Sequence, residues 1–464
     1  MPFLNSAQGI IKDALVFDRT GESLPSIIQI AKGLQPGSRL FCLLVKHVHV
    51  LPVVAEQMIK SSQHIVHPFA KNQCAATIRE LLLYSNDSDI YSILFDSIIP
   101  KSLVDENKLI YASAVMVKQY PEEIAPRQDK EVNIDKSKFQ FLDILDWTDI
   151  GDRVHVESQI SQPTTAGSTQ DVSQKYNVYI YSPEYFDDFV RLFKMASEYT
   201  IMKLVLDREG VLNSAPKDST NTTRVSLKNG DVISGEDFLL IGIRSYIGYR
   251  NFNTTTPLSL KNFVEIVRKS HYNDNASITI EVLGSELPVF SGQQSFYHLD
   301  MYLNYGGRTS AGRHLLFLAF VPNEVITQFG QKAEKRAELL ALQRHLEVVY
   351  NKIKSITLAD GSSFEVERIP VLIDQWQNIF SFNNCITENN GALAKCYIPH
   401  YTNVCSSITD TPQQTTKLAE DYYRQAYSTI HLSGFDMIPI TIDKLLNAAS
   451  NQSLHCSVAI LRRV

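Results

Sequence analysis

The chain has 464 residues, of which 44% are apolar and 20% are charged, and its formal net charge is -6. A chain of this length predicts either two domains or one domain built from repeated units. The mild acidic excess argues against a general nucleic-acid binder, because neutralising phosphates requires clustered lysine and arginine. No apolar run reaches the roughly 18 residues that a transmembrane helix needs, so no membrane partner is expected.

Six cysteines are spread along the chain, and none forms a CxxC pair of the kind that holds structural zinc. A reduced, cytoplasmic setting is therefore the simpler interpretation, and no metal is expected. The first residues lack the basic segment and long apolar run of a secretory signal, although export without a signal, as for a bacterial effector, stays open. The six cysteines are Cys42, Cys74, Cys385, Cys396, Cys405 and Cys456.

The first third of the chain mixes strand-like with helix-like runs and ends in a polar segment. Residues 39–50 are apolar and β-branched, which is typical of a strand or of the edge of a buried helix. Residues 53–60 and 75–84 have helical spacing, whereas residues 109–118 alternate and predict a strand. Residues 120–138 carry two prolines and many charges, so they are the best candidate for a linker.

After the linker, a strand–strand–helix–strand order recurs at irregular spacing. The predicted strands are residues 153–156, 177–181, 200–206, 225–233, 238–243, 277–282, 297–303, 315–320, 365–372, 394–399, 437–441 and 456–461. The predicted helices are residues 185–199, 260–270, 331–354 and 415–425. Repeats of one such unit predict a pseudo-symmetric α/β assembly. We therefore expect an N-terminal region over residues 1–135, either accessory or a first repeat, and a repeat-built domain over residues 136–464.

Cys456 follows a polar, turn-like stretch and begins the last predicted strand. A thiol at the start of a strand can face an opening, and its thiolate is a strong nucleophile once a nearby histidine or cation lowers its pKa. Most free cysteines are instead small buried core residues, so position alone favours a structural role.

His298 and Asp300 lie two residues apart in a predicted strand, where side chains two apart share one face. A base beside a carboxylate suits the binding of a cation next to a group that transfers protons. A structural hydrogen bond is the commoner role of such a pair. The nearby Asn304 and the glycines Gly306 and Gly307 predict a tight turn at the rim of a site.

Two further segments carry acids. Residues 227–242 form a predicted hairpin with Asp231 at its first strand, and residues 141–152 contain four aspartates, of which Asp143 and Asp146 flank an apolar pair. The ordinary interpretations are turn residues in a hairpin and solvated acids on an edge strand.

In their order, these motifs resemble the pentein superfamily of guanidine-modifying enzymes: arginine, agmatine and peptidylarginine deiminases, amidinotransferases and dimethylarginine dimethylaminohydrolases. The residues from His298 to Asp300 resemble the family's His-x-Asp strand, and His455 with Cys456 resembles the terminal His-Cys of agmatine and peptidylarginine deiminases. Residues 229–246 resemble the acidic hairpin, and residues 397–401 the penultimate repeat. The resemblance covers residues 140–464 and implies an α/β propeller of five repeated units around a central site.

The resemblance also implies roles. Cys456 would attack the guanidinium carbon, His298 would protonate the leaving amine and then activate water, and Asp300 would hold the guanidinium nitrogens. Further substrate-binding candidates are Asp231 in the hairpin, then Asp146, Asp143 and, more weakly, Asp96. The chemistry needs no organic cofactor.

The chain departs from the family in two places. Lys228 stands where the hairpin's first acid would be, and Asp231 is the available replacement. The family's second guanidinium-binding carboxylate, on an early strand, has no clean match, and Asp146 is the choice by spacing. Three functions follow: a deiminase, an amidinotransferase with the same Cys-His chemistry, and a binding protein on this fold without catalysis. The expected partner is a guanidinium group, free or protein-bound, and the N-terminal region could also bind a protein.

Overall fold

The structure is a computed structural model that describes seventeen stretches of the chain. They are residues 8–18, 24–50, 65–68, 79–85, 109–119, 154–158, 176–180, 217–218, 227, 229–252, 259–272, 274–284, 298–373, 379–402, 412–443, 454–455 and 458–464. These residues form a mixed α/β fold with five β-sheets.

The elements are numbered in chain order. The strands are β1 (Ile11–Asp18), β2 (Arg39–Val50), β3 (Ile65–Pro68), β4 (Arg79–Ser85), β5 (Leu109–Gln119), β6 (Val154–Ser158), β7 (Tyr176–Ile180), β8 (Lys217–Asp218), β9 (Val232–Ser234), β10 (Phe238–Gly242), β11 (Thr279–Leu283), β12 (Leu303–Arg308), β13 (His314–Phe320), β14 (Glu365–Ile373), β15 (Ile379–Ser381), β16 (Ile386–Asn389), β17 (Ala394–Thr402), β18 (Asp436–Asp443) and β19 (Val458–Arg463). The helices are α1 (Leu24–Gly33), α2 (Ile243–Phe252), α3 (Leu260–Tyr272), α4 (Asn323–Phe329), α5 (Ala333–Ser355) and α6 (Pro412–Leu432).

Three sheets share one topology, which confirms the strand–strand–helix–strand unit predicted from the sequence. In each, two antiparallel strands are followed by a helical crossover and a third strand parallel to the second. A parallel pair needs such a crossover, because the chain must return to the same end of the sheet. The three units are β9–β10–β11 with α2 and α3, β12–β13–β14 with α4 and α5, and β16–β17–β18 with α6.

The same order recurs where the first and last strands of the chain meet. Strand β1 pairs antiparallel with β19 and parallel with β2, and α1 lies between β1 and β2 in the sequence. The sheet continues through β5 and β4 to β3. The last strand of the chain therefore takes the first position in a unit whose other two strands are β1 and β2.

The predicted elements of the second half follow from local periodicity. Helix α5 buries Leu339, Leu342, Leu346, Val349 and Ile353, at spacings of three and four residues, so its apolar stripe faces the core. Strand β13 is buried from its first residue through Ala319, as expected for a strand covered on both faces.

Three predicted elements are wrong. The strand predicted over residues 225–233 contains a 3-10 turn at Asn229–Asp231, and strand β9 begins only at Val232. Residues 79–84, part of a predicted helix, belong to β4, which pairs with β5 and β3. A short apolar run fits a buried strand as well as a helix, so periodicity could not separate the two. Residues 297–303, predicted as a strand, include a 3-10 turn at Leu299–Met301, and the strand begins only at Leu303.

The predicted tight turn at Gly306 and Gly307 is also wrong. Both glycines lie inside β12, where the register with β13 shifts between Tyr305 and Gly307. Gly307 has a φ of 87°, and a Cβ there would stand 2.7 Å from the Asn389 amide nitrogen. The glycine therefore allows a bulge that a larger residue would strain.

Several predictions lie outside the described residues: the helices at 53–60 and 185–199, the strand at 200–206, the linker at 120–138 and the acidic segment at 141–152. The domain division near residue 135 stays a prediction. Within the described ranges, no helix combines the length and apolar character needed to cross a membrane.

Candidate active site

The candidate site is built from equivalent positions in four of the repeated units. Asp231, Asp300, Asn384 and His455 each lie within three residues before the first strand of a unit, namely β9, β12, β16 and β19. All four residues are buried. The 3-10 turn at Asn229–Asp231 packs against the one at Leu299–Met301, which brings the first two units together.

Asp231 is a buried acid whose carboxylate contacts the first turn of helix α2. Its Oδ2 accepts hydrogen bonds from the Ser245 backbone N–H, at 2.9 Å, and from the Ser245 hydroxyl, at 2.6 Å. The carboxylate thus also satisfies an N–H of the first helical turn. The carboxylate lies in the space that Gly242 leaves open, since a Cβ at position 242 would stand 1.6 Å from Asp231 Oδ1.

Burial, together with a smaller effect of the nearby charge of Asp300, raises the pKa of Asp231 to about 6, although the bonds from Ser245 and the charge of His298 oppose the rise. The carboxyl group therefore changes its charge near pH 6, and the charges of His298 and Asp300 both affect this titration. A buried carboxyl group with a shifted pKa near a histidine is a common arrangement at functional sites.

His298 and Asp300 do not lie in a strand, contrary to the expectation from the sequence. His298 is half-buried and precedes the 3-10 turn that contains Asp300. The expectation that a strand places both side chains on one face is therefore wrong, because the strand begins only at Leu303.

Asp300 binds His455 across the molecule. The distance from His455 Nδ1 to Asp300 Oδ2 is 2.8 Å, and both side chains are about 95% buried, with 5% and 4% exposed. Asn384 joins their backbones: its Nδ2 donates to the Asp300 carbonyl at 3.2 Å, and the His455 N–H donates to its Oδ1 at 2.5 Å. Three units are thus tied together at this point.

Tyr302 and Arg244 complete the surroundings. Burial raises the pKa of Tyr302 far above its usual value, the carboxylates of Asp231 and Asp300 raise it too, and Arg244 opposes them. The phenol therefore lies close to both acids, with the exposed Arg244 cation nearby. Two other arginines are engaged elsewhere: Arg308 with Glu236 and Asp237, and Arg313 with Glu365.

Of the residues singled out in the sequence, the structure brings together Asp231, His298 and Asp300. Cys456, Asp143, Asp146, Asp96 and Lys228 lie outside the described residues, so their roles stay predictions. In the described stretches, no three His, Cys, Asp or Glu side chains are grouped so that they could hold a metal ion.

The sequence did not single out Asn384, Ser245 or the side chain of His455. His455 was noticed only as the residue before Cys456. Asn384 belongs to a polar pair, Asn383-Asn384, between Phe382 and Cys385, and this break in apolar character was the available signal. Nothing in the local pattern indicates that Ser245 binds Asp231, because their contact depends on how α2 follows β10.

Comparisons with known proteins give structural likeness only. No protein-family model matches the sequence, and no curated protein matches it. One similar solved structure is provisionally named an arginine deiminase from Porphyromonas gingivalis, with 11% identity, a TM-score of 0.49 and coverage of 98% of this chain and 97% of that chain.

Two further structures are similar to the chain. One is provisionally named a peptidyl-arginine deiminase, with 10% identity, a TM-score of 0.47 and coverage of 98% of each chain. The other is provisionally named an agmatine deiminase, with 9% identity, a TM-score of 0.47 and coverage of 98% of this chain and 95% of that chain. These names belong to the pentein superfamily, which the sequence motifs resemble. At this level of similarity, the likeness alone assigns neither a reaction nor a substrate to this chain.

Proposed function

We propose that this chain is a guanidine-modifying hydrolase, a deiminase that acts on arginine, an arginine-like compound or a peptidyl-arginine. The observation that carries the proposal is that the buried acids Asp231 and Asp300 lie near the half-buried His298, and that Asp300 is hydrogen-bonded to His455, the residue before Cys456 in the chain. Two carboxyl groups beside a histidine suit a planar cation that offers several N–H donors.

The proposed reaction has two steps on Cys456. In the first, the sulfur forms a bond to the guanidinium carbon, and the C–N bond to the leaving ammonia breaks as His298 supplies a proton. In the second, water forms a bond to the same carbon and gives a proton to His298, and the C–S bond breaks. The products are ammonium and a ureido group, with the thiol restored.

Asp231 is the acid that orients His298 in this proposal. Lys228 stands where the related enzymes have an acid, and Asp231 lies three residues further on. Its carboxyl group is buried, close to His298, and has a pKa raised to about 6 by burial. Asp300 would receive the guanidinium, and Asp146 or Asp143 would supply the second carboxylate.

We also propose that the repeated units surround the site as a propeller. Support comes from the equivalent positions of Asp231, Asp300, Asn384 and His455 before the first strands of their units, and from the closure of the first unit by β19. A reducing, cytoplasmic setting suits a thiol enzyme, and Cys385 and Cys396 are also free thiols.

The test is an assay of the purified chain with arginine, agmatine and a peptidyl-arginine, each with and without an amine acceptor. Ammonia together with a ureido product supports the deiminase. Transfer of the amidino group to the added amine, without ammonia, would identify an amidinotransferase instead.

A thiol-labelling experiment separates enzyme from binding protein. A haloacetamidine resembles a guanidinium and alkylates an activated thiol, so the label should appear on Cys456 well before the other five cysteines. Equal labelling of all six, together with no turnover, would favour a binding protein without catalysis.

A further inference from the structure

The contact between His455 and Asp300 is a buried hydrogen bond between an imidazole and a carboxyl group, with 2.8 Å between Nδ1 and Oδ2. Removing a carboxylate from water is costly unless hydrogen bonds replace its hydration. A donor held against Asp300 Oδ2 therefore helps to keep this acid ionised inside the protein.

The contact is prearranged by the backbone. Asn384 accepts from the His455 N–H and donates to the Asp300 carbonyl, so the two residues are held in place before their side chains meet. Asn384 is itself completely buried, just before β16. The orientation of the Asp300 carboxylate is thus determined by three units together and not by its own turn alone.

An ionised carboxylate can accept about four hydrogen bonds. The Nδ1–H of His455 takes one of these positions, and the guanidinium is proposed to donate to another. A carboxylate whose orientation is already fixed binds such a cation better, because less side-chain freedom is lost on binding.

We infer that His455 is a positioning residue for guanidinium binding: its Nδ1–H holds the Asp300 carboxylate in the orientation that receives the substrate cation. The inference rests on the proposed function. It differs from a purely structural role, which would leave substrate affinity unchanged, and from competition, in which His455 would have to leave Asp300 when the guanidinium binds.

Two substitutions of His455 test whether the position of the hydrogen-bond donor to Asp300 matters. The amide nitrogen of His455→Asn stands near the place of Nδ1 and can still donate to Asp300, whereas that of His455→Gln reaches toward the place of Nε2. We expect His455→Gln to raise KM for arginine by about 10- to 100-fold, with a smaller change in kcat, as loss of one hydrogen bond to a charged group implies. His455→Asn should restore most of the affinity.

His431→Asn is the matched control. His431 Nδ1 lies 3.1 Å from the Phe435 carbonyl oxygen at the end of α6, so the same ring nitrogen is engaged there with a backbone oxygen on the surface. KM should keep its wild-type value in this variant. Thermal unfolding of all three variants shows which of them are folded.

A second measurement does not depend on the His455→Gln variant being folded. In Cys456→Ala, which cannot turn over, the Nδ1 proton of His455 should give a protected downfield NMR resonance that is missing in the double variant with His455→Asn. The resonance should persist when arginine is saturating, because the proposed contact is kept. Its loss on saturation would show competition and overturn the inference.

The outcomes separate the two proposals. A wild-type chain that is inactive on every guanidine substrate would overturn the proposed function, and this inference with it. An active wild type with an unchanged or lowered KM in His455→Gln would overturn the inference alone.

Discussion

Gly242 leaves the space in which the Asp231 carboxylate lies. A Cβ at position 242 would stand 1.6 Å from Asp231 Oδ1 and 2.4 Å from its Cγ. Asp231 is the acid proposed to orient His298. The absence of a side chain at Gly242 therefore determines where this acid lies.

Gly242→Ala should therefore displace Asp231, reduce turnover strongly and lower the free energy of unfolding by about 1–3 kcal/mol, as overpacking of a buried site does. Gly248→Ala is the matched control, because a Cβ there would meet nothing within 4 Å. Within α2 this control should be neutral or more stable by up to about 1 kcal/mol. Urea unfolding and an ammonia-release assay measure both effects, and equal behaviour of the two variants would contradict the close approach.

The raised pKa of Asp231 predicts a stability that falls as pH rises. Burial raises the pKa from 3.8 to about 6, so between these values the folded chain binds more protons at this group than the unfolded chain does. The contribution of Asp231 to the free energy of unfolding should fall by roughly 3 kcal/mol from below pH 3.8 to above pH 6.

Asp231→Asn removes this titration. Urea unfolding at several pH values measures the unfolding free energy of the wild type minus that of the variant. This difference should fall as pH rises from 3.8 to about 6. A difference that does not vary with pH would mean that the carboxyl group titrates normally. The same variant should lose turnover, because His298 then lacks its charged neighbour.

Cys456→Ala should reduce ammonia release to the uncatalysed level while leaving the thermal unfolding temperature within a few degrees of wild type. The reason is that only the nucleophile is removed, along with one small side chain. The substitution Cys385→Ala changes a buried thiol that is proposed to have no chemical role, and it should keep turnover in proportion to folded protein. Residual turnover in Cys456→Ala would mean that the nucleophile is another residue.

Asp300→Asn should weaken binding and rate together. Loss of the carboxylate charge removes the attraction for the guanidinium, which predicts a fall in kcat/KM of at least roughly tenfold. Steady-state kinetics with arginine measures both parameters. Wild-type kinetics in this variant would show that Asp300 does not bind the substrate, leaving it a structural partner of His455.

Glu388 joins the first and last strands to the preceding unit. It accepts hydrogen bonds from the Ile11 N–H at 2.9 Å and the Tyr397 hydroxyl at 2.5 Å, near the buried Arg463 of β19. Burial lowers the pKa of Arg463 to about 10, and the charge of Glu388 opposes this shift. Glu388→Ala should cost about 3–5 kcal/mol, because it leaves a buried cation uncompensated. Glu420→Ala, which removes a surface carboxylate from His400 and Arg424, should cost about 1 kcal/mol or less.

Much of the second half could be predicted because its elements have clear local patterns. The apolar spacing of α5 and the apolar run of β13 are properties of the sequence itself, so they were sufficient to predict these two elements. The segment around Asp300 lacked such a pattern. Residues 299–307 are all buried, so alternation of polarity carried no information there, and a strand was assigned where the structure has a 3-10 turn.

The sequence by itself determined the repeated strand–strand–helix–strand unit, the residue types able to do guanidine chemistry, and their order along the chain. Only the tertiary structure decided that Asp300 binds His455, which is 155 residues away, and that Asp231 is seated over Gly242 against Ser245. The physical reason is that periodicity and propensity act over a few residues, whereas the charge and orientation of a buried acid depend on whatever the packed units bring beside it.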